Sequence, residues 1–156
     1  MDTMAPIRPA VRRARRISLS AGPAAAAKAR RHVRAAIYAW DAPVDLTVAA
    51  LLTSELVTNA IRHEKGETVM LALTCASGQF RVDVHDTSCS APVPVDGPAD
   101  TETGRGLLLV ASLSTNWGYY RTPAGKAVYF TLAFNAYLDE DDDRSPRRDC
   151  SWFGES

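Results

Sequence analysis

Residues 45–59 run through Leu, Val, Ala and Thr with few interruptions, a composition that places a helix here against a core rather than in water. That helix nevertheless carries Glu55, Asn59 and His63 in one row, because about 3.6 residues per turn sets every fourth residue on the same edge. A carboxylate and an amide at that depth need partners. The fold must give the helix a core to cover and give its polar edge something to meet.

The flanking patterns define the rest of that core. Residues 16–20 alternate polar and apolar and predict a short strand that ends at Ala21, Gly22 and Pro23. Residues 24–40 are rich in strong helix formers, with Val33, Ile37 and Trp40 spaced to bury one face and Arg30, Arg31 and Arg34 on the wet side. Asp41 and Pro43 break the chain, and Asp41 is the expected cap of the next helix, read over 43–63.

Segments 68–74 and 79–86 alternate again around Ala76, Ser77 and Gly78, the pattern of a hairpin. Residues 87–104 hold three Pro and two Gly among Ser, Thr and Asp, and read as a long irregular lid. A buried helix over 105–113 follows, then strands over 116–121 and 127–133 around the turn at Pro123, Ala124 and Gly125. The order predicts an α+β domain with helices over one sheet.

At 156 residues and 46% hydrophobic content the chain suits one domain with one core. The expected layout is a basic N-terminal arm over 1–15, the folded domain over 16–134 and an acidic tail over 135–156. The formal charge is zero, yet the first 34 residues hold nine Arg or Lys against Asp2 alone, and 139–143 is an acidic run. The basic arm lacks aromatic interleaving and any zinc, homeodomain or ribonucleoprotein signature, so direct nucleic-acid binding is not the expected activity. Cys75, Cys89 and Cys150 have neither an even count nor a metal-ligand spacing, which argues against a disulfide framework or zinc site and for a reducing compartment. No apolar run reaches the roughly 18–20 residues of a membrane span, and no signal peptide is evident; the expected location is the cytoplasm.

Three separated elements make chemical sense together. The side-chain oxygen of Asn59 suits a hard cation such as Mg²⁺, whose remaining ligands are waters and phosphate oxygens. Glu55, one turn away, can orient or deprotonate a nucleophile. Asp86, acceptor-only at neutral pH, would receive the exocyclic amine of adenine and repel the carbonyl that guanine carries there. Gly104 and Gly106 would let backbone N–H groups approach phosphate at a helix start.

Those elements carry a family resemblance. The segment Glu55 to His63, Asp86 with its following loop, and Gly104, Arg105, Gly106 and Leu107 resemble, in order and separation, the N, G1 and G2 boxes of the GHKL ATPases. Ser54 to His63 and the ending Gly125 to Phe130 further resemble the anti-sigma factor serine/threonine kinases, regulators of bacterial stress and sporulation. The resemblance covers about residues 16–134. It implies a Bergerat-type two-layer sandwich, a mixed and mainly antiparallel sheet covered on one face by helices. It also implies ATP and Mg²⁺ as cofactors, Glu55 as catalytic base, Asn59 as metal ligand, and Asn59, His63, Asp86, Ser88, Gly104, Arg105, Gly106 and Leu107 around the nucleotide. The implied partners are a sigma factor and a STAS-domain anti-anti-sigma protein, the latter phosphorylated on Ser or Thr, with a homodimer expected through the first strand and helix.

Two positions depart from the resembled pattern. The G1 box usually reads Asp-x-Gly-x-Gly, but here Asp86 is followed by Thr87, Ser88, Cys89 and Ser90. Lys126 stands where related ATPases often have Thr. A protein kinase is therefore one expectation and a catalytically weak, nucleotide-dependent binding module the other. A free-standing histidine-kinase catalytic domain is a third, disfavoured because no dimerisation helix pair or phosphoacceptor segment is seen ahead of the domain. Taken singly, Glu55 and Asn59 could be an ordinary helix face, Asp86 a turn cap, Arg105 a solvated lid residue and His63 a helix end bonded to carbonyls; Trp40, Trp117, Tyr119 and Tyr129 read as core or sheet packing.

Overall fold

The computed structural model describes residues 12–63, 67–88 and 102–134. Strand β1 (Arg13–Ser20) leads into helices α1 (Ala25–Trp40) and α2 (Leu46–His63), then the hairpin β2 (Thr68–Ala76) and β3 (Gln79–Asp86), helix α3 (Glu102–Leu113), and the hairpin β4 (Asn116–Thr122) and β5 (Gly125–Ala133). The five strands lie in the order β1-β2-β3-β5-β4. The expected α+β sandwich is present, and every pairing in the sheet is antiparallel rather than mixed. Connectivity explains this: the α1–α2 pair returns the chain to the end of the sheet it left, and single helix α3 carries it across before the last hairpin.

Strand alternation sorts the sheet into two faces. Val69, Leu71 and Leu73 of β2, Phe80, Val82 and Val84 of β3, and Val128, Phe130 and Leu132 of β5 are buried toward the helices. Ala29, Val33 and Ile37 of α1, Leu52 and Leu56 of α2, and Leu107 and Val110 of α3 complete one cluster. Burying one such aliphatic or aromatic side chain contributes about 1.5–3 kcal/mol, so this cluster is the main source of stability. Trp40 packs at its margin, 6.2 Å from the Phe80 ring, as a core residue should.

Several boundaries move for identifiable reasons. β1 starts at Arg13, three residues before the expected domain edge, because Arg13, Ala14 and Arg15 pair with Cys75, Thr74 and Leu73. Asp41 does not cap α2. It sits in the left-handed region at φ 53° and closes α1, with its N–H donating to the carbonyls of Ile37 and Tyr38. The cap of α2 is Asp45, whose Oδ1 accepts from the Val48 N–H at 2.9 Å, so the helix begins at Leu46 and leaves Pro43 outside. Arg30, expected on the wet side, is half-buried and donates from Nη1 to Ser54 Oγ at 2.8 Å, tying α1 to α2. Ser77 and Gly78, both at positive φ, form the tight turn between β2 and β3.

The direction of the elements sets the site. β3 ends, β5 begins, α2 ends and α3 begins at the same end of the sheet, so residues far apart in sequence meet there. Most of the expected lid, the expected acidic tail and residues 1–11 of the expected basic arm lie outside the described residues.

Candidate functional site

Asn59 is 5% exposed, and its Oδ1 has no hydrogen-bond partner among the described residues. An unpartnered buried acceptor costs about 1–3 kcal/mol, a cost that a ligand or an ordered water at this atom would remove. A hard cation accepts such an oxygen directly, which makes Asn59 the residue here fit to hold Mg²⁺. Among the described residues no group of three His, Cys, Asp or Glu could hold a metal ion. A cation here would draw most of its ligands from phosphate and water, as Mg²⁺ commonly does.

Glu55 lies one turn before Asn59 and is half-buried. Its carboxylate meets α3 at Gly106, where an added Cβ would run into Glu55 Oε1. The bare glycine gives the carboxylate its space. His63 is the last residue of α2, one turn beyond Asn59, which puts the backbone of the expected row at the site end.

Helix α3 starts at Glu102, three residues before the expected Arg105, and this changes the glycines' roles. Gly104 lies in the first turn, where the backbone N–H has no partner within the helix and can face an anion. Gly106 lies two residues further on, past the first turn, where helix geometry commits the N–H to the preceding turn. What the structure shows at Gly106 is clearance for Glu55. Arg105 stands between them on α3, and Leu107 is 1% exposed and packs in the core beside the start of the helix.

Asp86 is the largest revision. It ends β3 on the helix-facing side, directly opposite Lys126 of β5. Lys126 Nζ donates to Asp86 Oδ1 at 3.1 Å and to Oδ2 at 2.9 Å, with side-chain exposures of 2% for the lysine and 0% for the aspartate. The Ser88 N–H donates to Asp86 Oδ1 at 2.7 Å, so Ser88 holds the carboxylate in place. Asp86 is thus not the free acceptor the sequence suggested. Gly125 makes the join possible, since a Cβ there would lie 2.6 Å from the Thr87 carbonyl carbon. The lysine's partnership was visible in principle: Lys126, Val128, Phe130 and Leu132 alternate, so the cation falls on the apolar face and must find an anion there.

A second polar cluster occupies the opposite face of the sheet. Arg81 Nε and Nη2 donate to Asp83 Oδ1 and Oδ2 at 2.8 and 3.0 Å, and the Tyr120 hydroxyl donates to Asp83 Oδ2 at 2.8 Å. The Arg81 guanidinium lies 4.0 Å from the Tyr129 ring centroid. Burial, then the bond to Asp83, pushes the Tyr120 phenol up to about 12, and burial lowers His85. These residues brace β3, β4 and β5 from outside.

One end of the sheet therefore brings together an unpartnered amide oxygen, a carboxylate with its own clearance, a helix first turn and a buried ion pair. A family model for the histidine kinase-like ATPase domain matches residues 19–132. The chain belongs to that family. The match runs from β1 to β5 and so takes in every element that builds the site. It assigns an ATP-binding, kinase-like ATPase domain, in agreement with the GHKL resemblance. No curated protein sequence matches the chain significantly. No helix among the described residues is long and apolar enough to cross a membrane.

Proposed function

We propose that this histidine kinase-like ATPase domain is a serine/threonine protein kinase acting as an anti-sigma factor, and that it phosphorylates a STAS-type anti-anti-sigma protein. The observation that carries the reading is the pairing, one turn apart on α2, of a buried amide oxygen without a partner and a carboxylate given room by a glycine. In the reaction, Glu55 takes the proton from a seryl or threonyl hydroxyl as that oxygen bonds to the γ-phosphorus. The bond from the γ-phosphorus to its bridging oxygen breaks, and ADP leaves. Asn59 would hold Mg²⁺, which when bound supplies charge neutralisation on the phosphates. Positioning and charge neutralisation are most of what phosphoryl transfer needs, so one carboxylate, one amide and a helix first turn are chemically sufficient. The proposed location is the cytoplasm, where sigma factors act.

A second reading, a catalytically weak nucleotide-dependent binding module, is favoured by a separate observation: Asp86 is engaged by Lys126, and Ser88 and Ser90 stand where the Asp-x-Gly-x-Gly pattern has its two glycines. Transfer of labelled γ-phosphate from ATP to purified STAS-domain proteins of the same genome separates the two. The kinase reading expects label on one of them and none with Glu55→Ala. Retained ATP binding with no transfer to any of them favours the binding module.

A further inference from the structure

We infer that the outer edge of β1 is a docking surface for the acidic run 139–143 of the same chain, met there by Arg12, Arg13, Arg15 and Arg16. β1 is the first strand in the order β1-β2-β3-β5-β4, so one side of its backbone pairs with β2 and the other has no strand beside it among the described residues. Such an edge is a ready template for another chain segment. Four arginines stand here in five positions, with Arg12, Arg13 and Arg16 exposed and Arg15 half-buried. Strand alternation sends Arg13 and Arg15 to the helix side, where the Arg15 guanidinium lies 5.3 Å from the Trp40 ring centroid, and Arg16 to the opposite side. Both flanks of the edge are therefore positive. Positions 12–40 hold eight Arg or Lys and no Asp or Glu. No carboxylate pairs with Arg12, Arg13 or Arg16 among the described residues.

Charge and reach select the occupant. The formal charge of the chain is zero, and its densest opposite charge is the run Asp139, Glu140, Asp141, Asp142 and Asp143. A second copy of β1 would add to the positive charge rather than meet it, and like charges set opposite one another destabilise a strand pair. The route to the run is short. β5 ends at Ala133, opposite Gln79, and the Phe134 N–H donates to the Gly78 carbonyl at 2.7 Å, so the chain leaves the sheet beside the β2–β3 turn. Arg13 pairs with Cys75 at that same end. Three strand spacings separate β5 from β1, roughly 14 Å, and the five steps from Phe134 to Asp139 reach about 17 Å when extended. The acidic run then matches the stretch from Arg12 to Arg16 in length, five residues against five. Tethering holds the run at an effective concentration in the millimolar range, which lets several individually weak surface pairs act together.

The test is paramagnetic relaxation on the isotope-enriched full chain, with a nitroxide on Ser145→Cys in a Cys89→Ser, Cys150→Ser background; Cys75 is buried and stays in place. Docking broadens the amide signals of Arg13–Arg16 more than those of Asn116–Gly118. A segment that does not dock gives the reverse order, because β4 lies one strand from the exit at Phe134 and β1 lies three away. The broadening at β1 should be lost between about 0.1 M and about 1 M salt, where the screening length falls from about 10 Å to about 3 Å. It should also be lost when Arg12, Arg13 and Arg16 are each replaced by Glu. Should that variant fail to fold, replacing the five acids by Asn and Gln gives the same loss without altering any strand residue. Broadening of β4 equal to or above that of β1 overturns the inference, as does broadening at β1 that survives both salt and the neutralised run. Broadening of enriched chains by spin-labelled, unenriched ones places the run on a second copy and overturns it as well.

Discussion

Glu55 on α2 and Gly106 on α3 are in direct register: the space that a side chain at Gly106 would fill is occupied by the Glu55 carboxylate. Two helices separated by the whole hairpin β2–β3 are thereby set to leave one acidic group at the end of the sheet where β3 stops and β5 starts.

Gly106→Ala tests that relationship. The new methyl group displaces Glu55, and a misplacement of about 1 Å in a reacting group costs on the order of 100-fold in rate. Because the obstructed atom is the far end of a flexible side chain and Ala favours the helix over Gly, stability should change little. Phosphotransfer should fall steeply while Mg²⁺-ATP affinity, measured on folded protein, changes little; equal loss of both would mean that Gly106 supports the nucleotide rather than the carboxylate.

Asn59→Ala should separate stability from binding. Removing a buried acceptor that has no partner relieves about 1 kcal/mol or more, offset by the small cavity left behind, so the ligand-free melting temperature stays level or rises. Mg²⁺-ATP affinity should drop by about tenfold or more. A marked fall in melting temperature would place Asn59 in the scaffold instead.

Lys126→Ala leaves a fully buried carboxylate without its counter-ion, and breaking a buried pair from one side costs about 3–5 kcal/mol. Replacing both partners, as Lys126→Met with Asp86→Leu, should recover most of that loss, because two apolar groups need no compensation. Chemical denaturation of the single and double variants gives the comparison; additive losses would refute the pairing.

Tyr120 gives a pH signature independent of the site. Its folded pKa, about 12, lies above the ordinary value near 10. The unfolded chain therefore loses this proton first. The stability contributed is fully present below pH 10 and is lost as pH rises through 12. Tyr120 is 38% exposed, so solvent screening keeps the effect small. Thermal melts across that range should show a decline that Tyr120→Phe makes shallower; an unchanged decline would assign it to other groups.

Local patterns were legible in the sequence. The alternation of 79–86 marks β3 residue for residue, because one face is buried and a shift by one would expose Phe80, Val82 and Val84. The row of Glu55 and Asn59 was equally plain, since helical spacing alone defines it. What escaped was decided elsewhere. Asp41 and Asp45 both suit a helix cap, and only the left-handed turn that closes α1 assigns the role to Asp45. The Lys126–Asp86 pair spans 40 positions and is set by the β3–β5 register, which no local pattern specifies. The part played by Gly106 depends on where α3 begins and on its packing against α2.

The central claim is one Mg²⁺-ATP site at the end of the sheet that holds Asn59, Glu55 and the first turn of α3. Calorimetric titration of the folded full chain with Mg²⁺-ATP measures it directly. The account predicts saturable heat at one nucleotide per chain that weakens sharply in Asn59→Ala; folded protein that gives no binding heat with Mg²⁺-ATP would contradict it.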